Sequence, residues 1–214
     1  MTTATKSRPI LFSAPMVRAL LDGRKTQTRR MVKPQPIQDA GGKVYRWISR
    51  GRDVNVEHMN AAMCPYGVPG DRLWVKHGHW LKPASDLTEA IAWSPEFPCA
   101  VHRDYRGTWT SDIASPQSDI DKHGGFRKRP SIHMPRWASR ITLQVTSVRV
   151  ERVQDISEAD AVAEGMKPRP SEPYDCMDDP REQYRFLWDE INGKGSWESK
   201  PWVWVIEFRK QIHA

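Results

Sequence analysis

Residues 140–153, RITLQVTSVRVERV, constrain the fold more than any other stretch of the chain. Ile141, Leu143 and Val145 alternate with polar residues, so they share one face of an extended strand. The valines that follow continue this pattern only after a change of phase. That change predicts a β-bulge near residues 146–147.

Two further segments predict strands in the same fold. Residues 202–208, WVWVIEF, are apolar at almost every position, which is typical of a central strand covered on both faces. Residues 71–77, DRLWVKH, follow a Pro-Gly turn and place Leu73 and Val75 on one face. The chain therefore contains a sheet with at least one buried central strand.

Short helices are predicted between these strands. Residues 13–23 have Ser13 as the N-cap and Gly23 as the stop, and residues 179–192 are amphipathic. A third helix begins after Ser157, has Asp160 at its third position in a short version of the capping box, and ends at Gly165.

Strands with a few short helices indicate an α+β fold built round a small β-barrel. The 214 residues are most simply one domain, 1–214, that carries insertions. Proline and glycine place these insertions near 33–70, 105–131 and 167–180, and the polar composition of 105–131 predicts a mobile loop.

The composition favours an anionic partner. The chain has 33 Lys and Arg against 26 Asp and Glu, a formal net charge of +7, which suits nucleic acid although many basic proteins bind none. Ten tryptophans are available as core anchors or as stacking platforms for bases, and core is the usual role.

Cysteine usage and hydropathy bound the cellular context. Cys64, Cys99 and Cys176 are odd in number and far apart, and no C-x-x-C is present, so neither a disulfide framework nor a zinc ribbon is supported. The N-terminus lacks the apolar core of a signal peptide, and no stretch reaches transmembrane length. We expect a cytoplasmic protein that does not bind membranes, and we treat it as a monomer.

The segment LLDGRKTQTRR, residues 20–30, concentrates positive charge just after the first helix. From spacing alone it is a solvated loop, a phosphate-binding strip or part of an active site, and the solvated loop is the commonest of these. Lys25 lies between Arg24 and the Arg29–Arg30 pair, and like charges favour its neutral form. On the solvated interpretation, Lys25→Ala changes stability by only about half a kcal/mol.

Histidine and other basic clusters give weaker signals. The histidines lack a dependable metal-ligand spacing, although His77 and His79 form an H-G-H, so we predict no metal site. The R-K-R at residues 127–129 predicts a solvated loop that assists RNA contact.

Several motifs, taken together and in order, resemble the ASCH domain family of the PUA-like superfamily, whose small β-barrels are associated with RNA. The match covers most of the chain, with gaps at the insertions. In its length and motifs the chain resembles the long ASCH proteins that are common in bacteriophages and prophages. The segments that carry the resemblance are RPILFSAPMVRALLDGRKTQTRR, CPYG, PGDRLWV, SIHMPRWASRI, ITLQVTSVRVERVQDISEADAVAEGM, NGKGSW and WVWVIEF.

The resemblance implies an activity and a set of site residues. Small bacterial members of the family are N4-acetylcytidine amidohydrolases, which release acetate from the exocyclic amine of the base and use no cofactor. Their catalytic lysine, threonine and glutamate match Lys25, Thr28 and Glu164. Other ASCH proteins are reported or proposed as ribonucleases or as non-enzymatic RNA-binding modules, so both remain alternatives. The residues expected to contact RNA or a modified nucleoside are Arg24, Arg29, Arg30, Trp74 and Lys76.

One expectation tests this interpretation, and one departure from the family pattern bears on it. Lys25, Thr28 and Glu164 should converge on one pocket, which requires a bend because Lys25 and Thr28 face opposite sides of an extended chain. The sequence also departs from the long family pattern at KHGHW, where His77 and His79 replace a glutamate and a tryptophan.

Overall fold

The structure is a computed structural model that describes residues 5–38, 40, 45–82, 89–93, 100–103, 109–112, 127–168 and 179–211. Most of the insertion predicted near 167–180 lies outside these residues. In chain order the elements are β1 (Ser7–Leu11), α1 (Ala14–Leu21), β2 (Gln27–Met31), β3 (Ile37–Gln38), β4 (Tyr45–Ser49), β5 (Arg52–Asn55), β6 (Arg72–Lys76), β7 (His79–Lys82), β8 (Glu89–Trp93), β9 (Ala100–Arg103), β10 (Trp109–Asp112), β11 (Arg127–Arg129), β12 (Thr142–Arg152), α2 (Glu158–Ala163), α3 (Pro180–Asn192) and β13 (Trp202–Gln211).

The chain forms two compact units. The first unit comprises Met1–Arg8, Arg18–Leu73 and Thr142–Ala214, and the second comprises Pro9–Val17 and Trp74–Ile141.

The main sheet contains the strands predicted from the sequence, in the order β1-β6-β12-β13-β2. β12 and β13 pair antiparallel along their whole length, and their register shifts between Val145 and Ser147. This shift is the predicted bulge. β13 lies between β12 and β2, so its predicted central position is confirmed.

The mixed α+β class is confirmed, because most of the described elements are strands and few are helices. The strand order gives the main sheet two edges, β1 and β2. Within the described residues it is therefore an open sheet and not a closed barrel.

Residues 33–70, predicted to be loop, contain a small antiparallel sheet of order β3-β4-β5. The strands β4 and β5 form a tight hairpin in which Ser49 pairs with Arg52. Trp47 is buried at its centre. The frequent glycine and proline of this region hid the hairpin, because its strands are only four or five residues long.

The second unit contains a sheet of order β10-β9-β8-β7-β11. Two of its strands, β10 and β11, fall within residues 105–131, where a mobile loop was predicted. They pair antiparallel with β9 and β7. That prediction is wrong for these two segments, since polar strands can be held by backbone pairing that their side-chain pattern does not reveal. The other residues between 104 and 126 lie outside the described ranges.

The predicted helices are present. At the start of α2 the Ser157 hydroxyl accepts the amide of Asp160 at 3.0 Å, as the capping pattern predicted. Helix α3 begins with Pro180 after an Asp179 cap. Its buried face carries Tyr184 and Trp188 and packs with other buried residues of the first unit, Val153, Ile156, Ala161, Trp197, Val203 and Val205. No helix in the described part of the chain is long and apolar enough to cross a membrane.

Candidate functional site

Backbone hydrogen bonds hold the basic segment, residues 20–30, in position where it enters β2. The amide of Lys25 donates to Ala19 O at 3.0 Å, and the amide of Thr26 donates to Ala163 O at 2.8 Å. Thr26 O accepts the amide of Phe208 at 2.9 Å. The chain between α1 and β2 is therefore fixed against the end of α2 and against β13.

Lys25 and Glu164 form a buried ion pair. The Lys25 Nζ lies 2.7 Å from Glu164 Oε2 and donates to Glu164 O, also at 2.7 Å. Their side chains are 0% and 2% exposed. The predicted proximity of the two residues is confirmed, whereas the solvated-loop interpretation of Lys25 is wrong because the segment enters the sheet.

Gly165 allows the two chains to approach each other. Its φ is +104°, and a Cβ at this position would lie 3.0 Å from Ala19 Cβ and 3.6 Å from Lys25 Cβ. A side chain here would be strained and crowded. The glycine that ends α2 therefore contributes to the site as well as to the helix end.

Arg29 extends the ion pair to further carboxylates. Its guanidinium Nη1 lies 3.5 Å from Glu164 Oε1, and its Nη2 lies 3.2 Å from Asp160 Oδ2. Nη2 also donates to Glu151 Oε1. Because the Arg29 side chain is 0% exposed, these three carboxylates are needed to balance its charge in the interior.

Arg149 continues the network toward the surface. Its Nε lies 3.2 Å from Glu151 Oε2, its Nη2 lies 3.3 Å from Asp160 Oδ1, and its Nη1 donates to Glu207. We call the seven residues the buried charge network: Lys25, Arg29, Arg149, Glu151, Asp160, Glu164 and Glu207. Four of its members were not predicted as site residues from the sequence: Arg149, Glu151, Asp160 and Glu207. The charges that alternate with valines in β12 were the available signal, but their partners are remote in sequence.

The environment shifts several ionisation equilibria in this network. Burial lowers the pKa of Lys25 below its ordinary value of 10.5, an effect that the attraction of Glu164 only partly opposes and that Arg30 and Arg29 reinforce. Burial tends to raise the pKa of Asp160, but the positive charge of Arg29 and the Ser157 hydrogen bond bring it below its ordinary value. The site thus favours a lysine that gives up its proton more easily than usual.

Thr28 does not join Lys25 and Glu164. In β2 it pairs with Ile206, whereas its neighbour Arg29 pairs with Val205. Successive residues of a strand point to opposite faces, so Thr28 lies on the face away from Arg29. Its side chain is buried there.

Arg24 and Arg30, the other residues of the first unit that were predicted to contact RNA or a nucleoside, differ in exposure and in position. Arg24 is exposed and donates to Gly165 O at 3.1 Å and to Asp22 Oδ2 at 3.0 Å. Arg30 is half-buried and pairs with Trp204 in the sheet register. Arg24 therefore borders the end of α2, whereas Arg30 is on the Thr28 face of β2.

Trp74 and Lys76 belong to the second unit, where they form a cationic group with Arg136. The Lys76 Nζ lies 5.4 Å from the Trp74 ring centroid, and Arg136 Cζ lies 5.7 Å from it. Lys76 also donates to Ile132 O. Trp74 is thus flanked by two cations.

His77 and His79, also in the second unit, are buried. The Nδ1 atom of His77 lies 2.8 Å from Gly78 O, and burial lowers the pKa of the His77 imidazole. Among the described residues, no three His, Cys, Asp or Glu side chains are grouped so that they could hold a metal ion.

Two buried donors on β2 lack hydrogen-bond partners among the described residues. They are Gln27 Nε2 and Arg29 Nε. Both residues lie on the face of β2 that carries the buried charge network. Unpaired buried donors are costly, and they commonly mark a position where water or a ligand oxygen binds. Gln27 was not predicted as a site residue, although it lies inside the basic motif.

Comparison with protein-family models, with curated proteins and with solved structures found no match for this chain. The likeness to the ASCH family therefore rests on the sequence motifs. The geometry of Lys25, Arg29 and Glu164 stands independently of that likeness.

Proposed function

We propose that this chain is an ASCH-type protein of PUA-like ancestry that removes the acyl group from N4-acetylcytidine or a related nucleoside. The observation that carries the proposal is the 2.7 Å contact between Lys25 Nζ and Glu164 Oε2 in the interior of the first unit. A lysine with a lowered pKa beside a carboxylate is a common arrangement for proton transfer.

In the proposed reaction, neutral Lys25 takes a proton from a water molecule, whose oxygen attacks the acetyl carbonyl. The resulting tetrahedral intermediate collapses when the bond from carbon to N4 breaks. The Glu164 carboxylate takes this proton from Lys25 and delivers it to the leaving amine, so that both side chains return to their starting forms. Water is consumed, and cytidine and acetate are the products.

The oxyanion of the tetrahedral intermediate needs hydrogen-bond donors. We assign this role to Gln27 Nε2 and Arg29 Nε, the two buried donors without partners among the described residues. We assign no step to Thr28, because it lies on the other face of β2. To Arg24, exposed beside the end of α2, we assign contact with a sugar or phosphate.

A second candidate function is a non-enzymatic RNA-binding module. This function is favoured by the burial of Lys25 and Glu164, because substrate does not reach side chains that are 0% and 2% exposed in this conformation. In that case the buried charge network is purely structural, and the basic side chains that give the net charge of +7 would contact phosphates.

The test is incubation with N4-acetylcytidine followed by chromatographic separation of cytidine and acetate. The proposal expects wild type and Lys194→Ala, a matched change at an exposed lysine, to hydrolyse the nucleoside. Lys25→Ala and Lys25→Arg should each lose about 10²- to 10⁴-fold in rate, because neither side chain supplies a neutral amine.

Hydrolysis by Lys25→Arg within a few-fold of wild type would refute the catalytic role. If wild type hydrolyses nothing but binds structured RNA in a salt-sensitive way, the binding module replaces the enzyme. Cleavage of the RNA itself would instead indicate a ribonuclease.

A further inference from the structure

A second candidate site is a pocket of about 280 Å³ within the first unit. Its volume is near the lower end of the range of about 300–1,000 Å³ found for small-molecule pockets. We call it the cationic pocket, because four basic side chains line it and no acidic residue is among the lining residues. The residues that define it are Arg8, Lys33, Arg50, Arg52, Trp47 and Trp204.

The charges of the four pocket cations are not balanced by any carboxylate among the described residues. Elsewhere in the first unit, Arg29, Arg46 and Arg149 each have a carboxylate within 4.0 Å. In the part of the chain that the structure describes, no such partner lies near the four pocket cations. Arg8 donates Nη1 to a backbone oxygen at 3.2 Å, but its Nε is buried and without a hydrogen-bond partner there. Four positive charges grouped around one cavity, without carboxylates between them, raise the local concentration of anions.

Arg50 occupies an unfavourable backbone conformation at the rim of the hairpin that lines the pocket. It is the first central residue of the two-residue turn between β4 and β5, and its φ is +51°. The second central residue, Gly51, has a φ of +74°. Turns with two positive φ values favour Asn or Asp followed by Gly, because other side chains are strained at the first position. The chain therefore places an arginine where folding alone would favour asparagine.

The cationic pocket is separate from the buried charge network. Val205 pairs with Arg29 and lies in the core under α3, on the face of β13 that carries the network. Trp204 is the next residue along the strand, so it points to the opposite face, where it lines the pocket. Ligand binding in the pocket and proton transfer at Lys25 can therefore be disrupted independently.

We propose that the cationic pocket binds a phosphate monoester, either of a mononucleotide or of the 5′ end of an RNA strand. Guanidinium groups match phosphate oxygens in paired hydrogen bonds, and four cations suit a dianion better than the single charge of a phosphodiester. Trp47 and Trp204, whose rings meet edge to face with centroids 6.5 Å apart, supply an apolar wall for the attached sugar or base. This site goes beyond the proposed hydrolysis, which requires no phosphate.

The test is calorimetric titration of the full chain with cytidine 5′-monophosphate, with uncharged cytidine as the ligand control. The informative variant is Arg50→Asn, which removes the guanidinium and fits the turn better. Lys200→Asn is its matched control, because Lys200 also has a positive φ, +49°, and does not line the pocket.

We expect wild type and Lys200→Asn to bind the nucleotide equally well. Arg50→Asn should bind it at least about tenfold more weakly, the loss typical of one charge-assisted hydrogen bond. Both asparagine variants should melt about 2 °C higher than wild type, so weaker binding by Arg50→Asn could not be attributed to misfolding. Lys25→Met should bind the nucleotide like wild type even if it abolishes hydrolysis.

Short RNA strands with a 5′-phosphate or a 5′-hydroxyl distinguish the two sources of the monoester. If wild type prefers the strand with a 5′-phosphate and Arg50→Asn loses this preference, the pocket binds strand ends. If only the mononucleotide binds tightly, the pocket binds free nucleotides. The proposal is overturned if wild type binds neither the mononucleotide nor the 5′-phosphorylated strand at low salt, or if Arg50→Asn binds as wild type does. It is also overturned if wild type binds both strands equally and binds cytidine 5′-monophosphate no better than cytidine.

Discussion

The Nζ atom of Lys25 lies 2.7 Å from both the carboxylate and the backbone oxygen of Glu164, and neither side chain is more than 2% exposed. Two hydrogen bonds to one residue hold the ammonium at the end of α2 and fix its direction. Arg29 contacts the other carboxylate oxygen of Glu164 at 3.5 Å. Glu164 therefore joins the basic motif to the sheet and to the helix at the same time.

The first prediction concerns the stability of this pair. Lys25→Met should destabilise the fold by about 3 kcal/mol, because among the described residues it leaves the buried Glu164 carboxylate with only the longer contact to Arg29. This expectation replaces the half kcal/mol of the solvated-loop interpretation. Urea unfolding of the variant, of Glu164→Leu and of the double variant measures the effect.

The double variant is the control for the pair. The two single changes should not add, since each already removes the same contact, and the double variant should be more stable than their sum by 1 kcal/mol or more. Additive losses would show that Lys25 and Glu164 are not coupled in solution.

The second prediction concerns the pH dependence of hydrolysis. Neutral lysine is the active form of the proposed base, so kcat/KM should rise with pH until Lys25 has lost its proton. Burial lowers the pKa of Lys25, so the rise should level off at a pH below 10.5. Initial rates between pH 6 and 10, corrected for the spontaneous reaction, measure it. A rate that falls over this interval would assign proton removal to another group.

The third prediction concerns Cys64, which is 5% exposed and lines the cationic pocket. Burial raises the pKa of its thiol to about 11 from 9.0. At neutral pH this difference of two units, 11 minus 9.0, reduces the thiolate population about 100-fold. Alkylation of Cys64 by iodoacetamide should therefore be at least that much slower in the native protein than in urea. Mass spectrometry of the Cys64 peptide provides the rates, and equal rates would contradict the buried position.

Local sequence signals predicted much of the main sheet and its helices. The bulge near residues 146–147 and the Ser157 cap were identifiable because each depends on side-chain alternation or on a hydrogen bond over three residues. The hairpin β4–β5 was missed because its strands are short and because its turn has Arg50 at a position that favours asparagine. Pairing of the polar strands β10 and β11 depends on backbone partners, which side-chain patterns do not encode.

The candidate site was predictable only in part. Lys25 and Glu164 were identified by motif resemblance, not by spacing, since 139 residues separate them. Their burial and the carboxylates of Glu151 and Asp160 were not predicted, because the charge of Arg29 finds its partners only when β2, β12 and α2 are assembled. The position of Thr28 follows from strand alternation once β2 is known to begin at Gln27.

The last prediction separates two roles of glycine around the site. Gly165→Ala should be strongly destabilising, by about 3 kcal/mol, because the new methyl group combines a positive φ with a contact of 3.0 Å to Ala19 Cβ. Gly23→Ala is the matched control, since Gly23 also has a positive φ, +74°, but a Cβ there would meet nothing within 4 Å. It should cost only the backbone strain, about 1 kcal/mol.

Urea unfolding of both alanine variants measures this difference, and the assay with N4-acetylcytidine adds a functional measurement under conditions where both are folded. A methyl group at position 165 would lie 3.6 Å from Lys25 Cβ, so any adjustment that relieves the crowding displaces Lys25 from Glu164. Gly165→Ala should therefore lose hydrolytic rate even when folded, whereas Gly23→Ala should retain it. Equal stability losses in the two variants would show that the close approach of residue 165 to α1 is absent in solution. Unchanged hydrolysis by folded Gly165→Ala would show that the exact position of Lys25 does not limit the reaction.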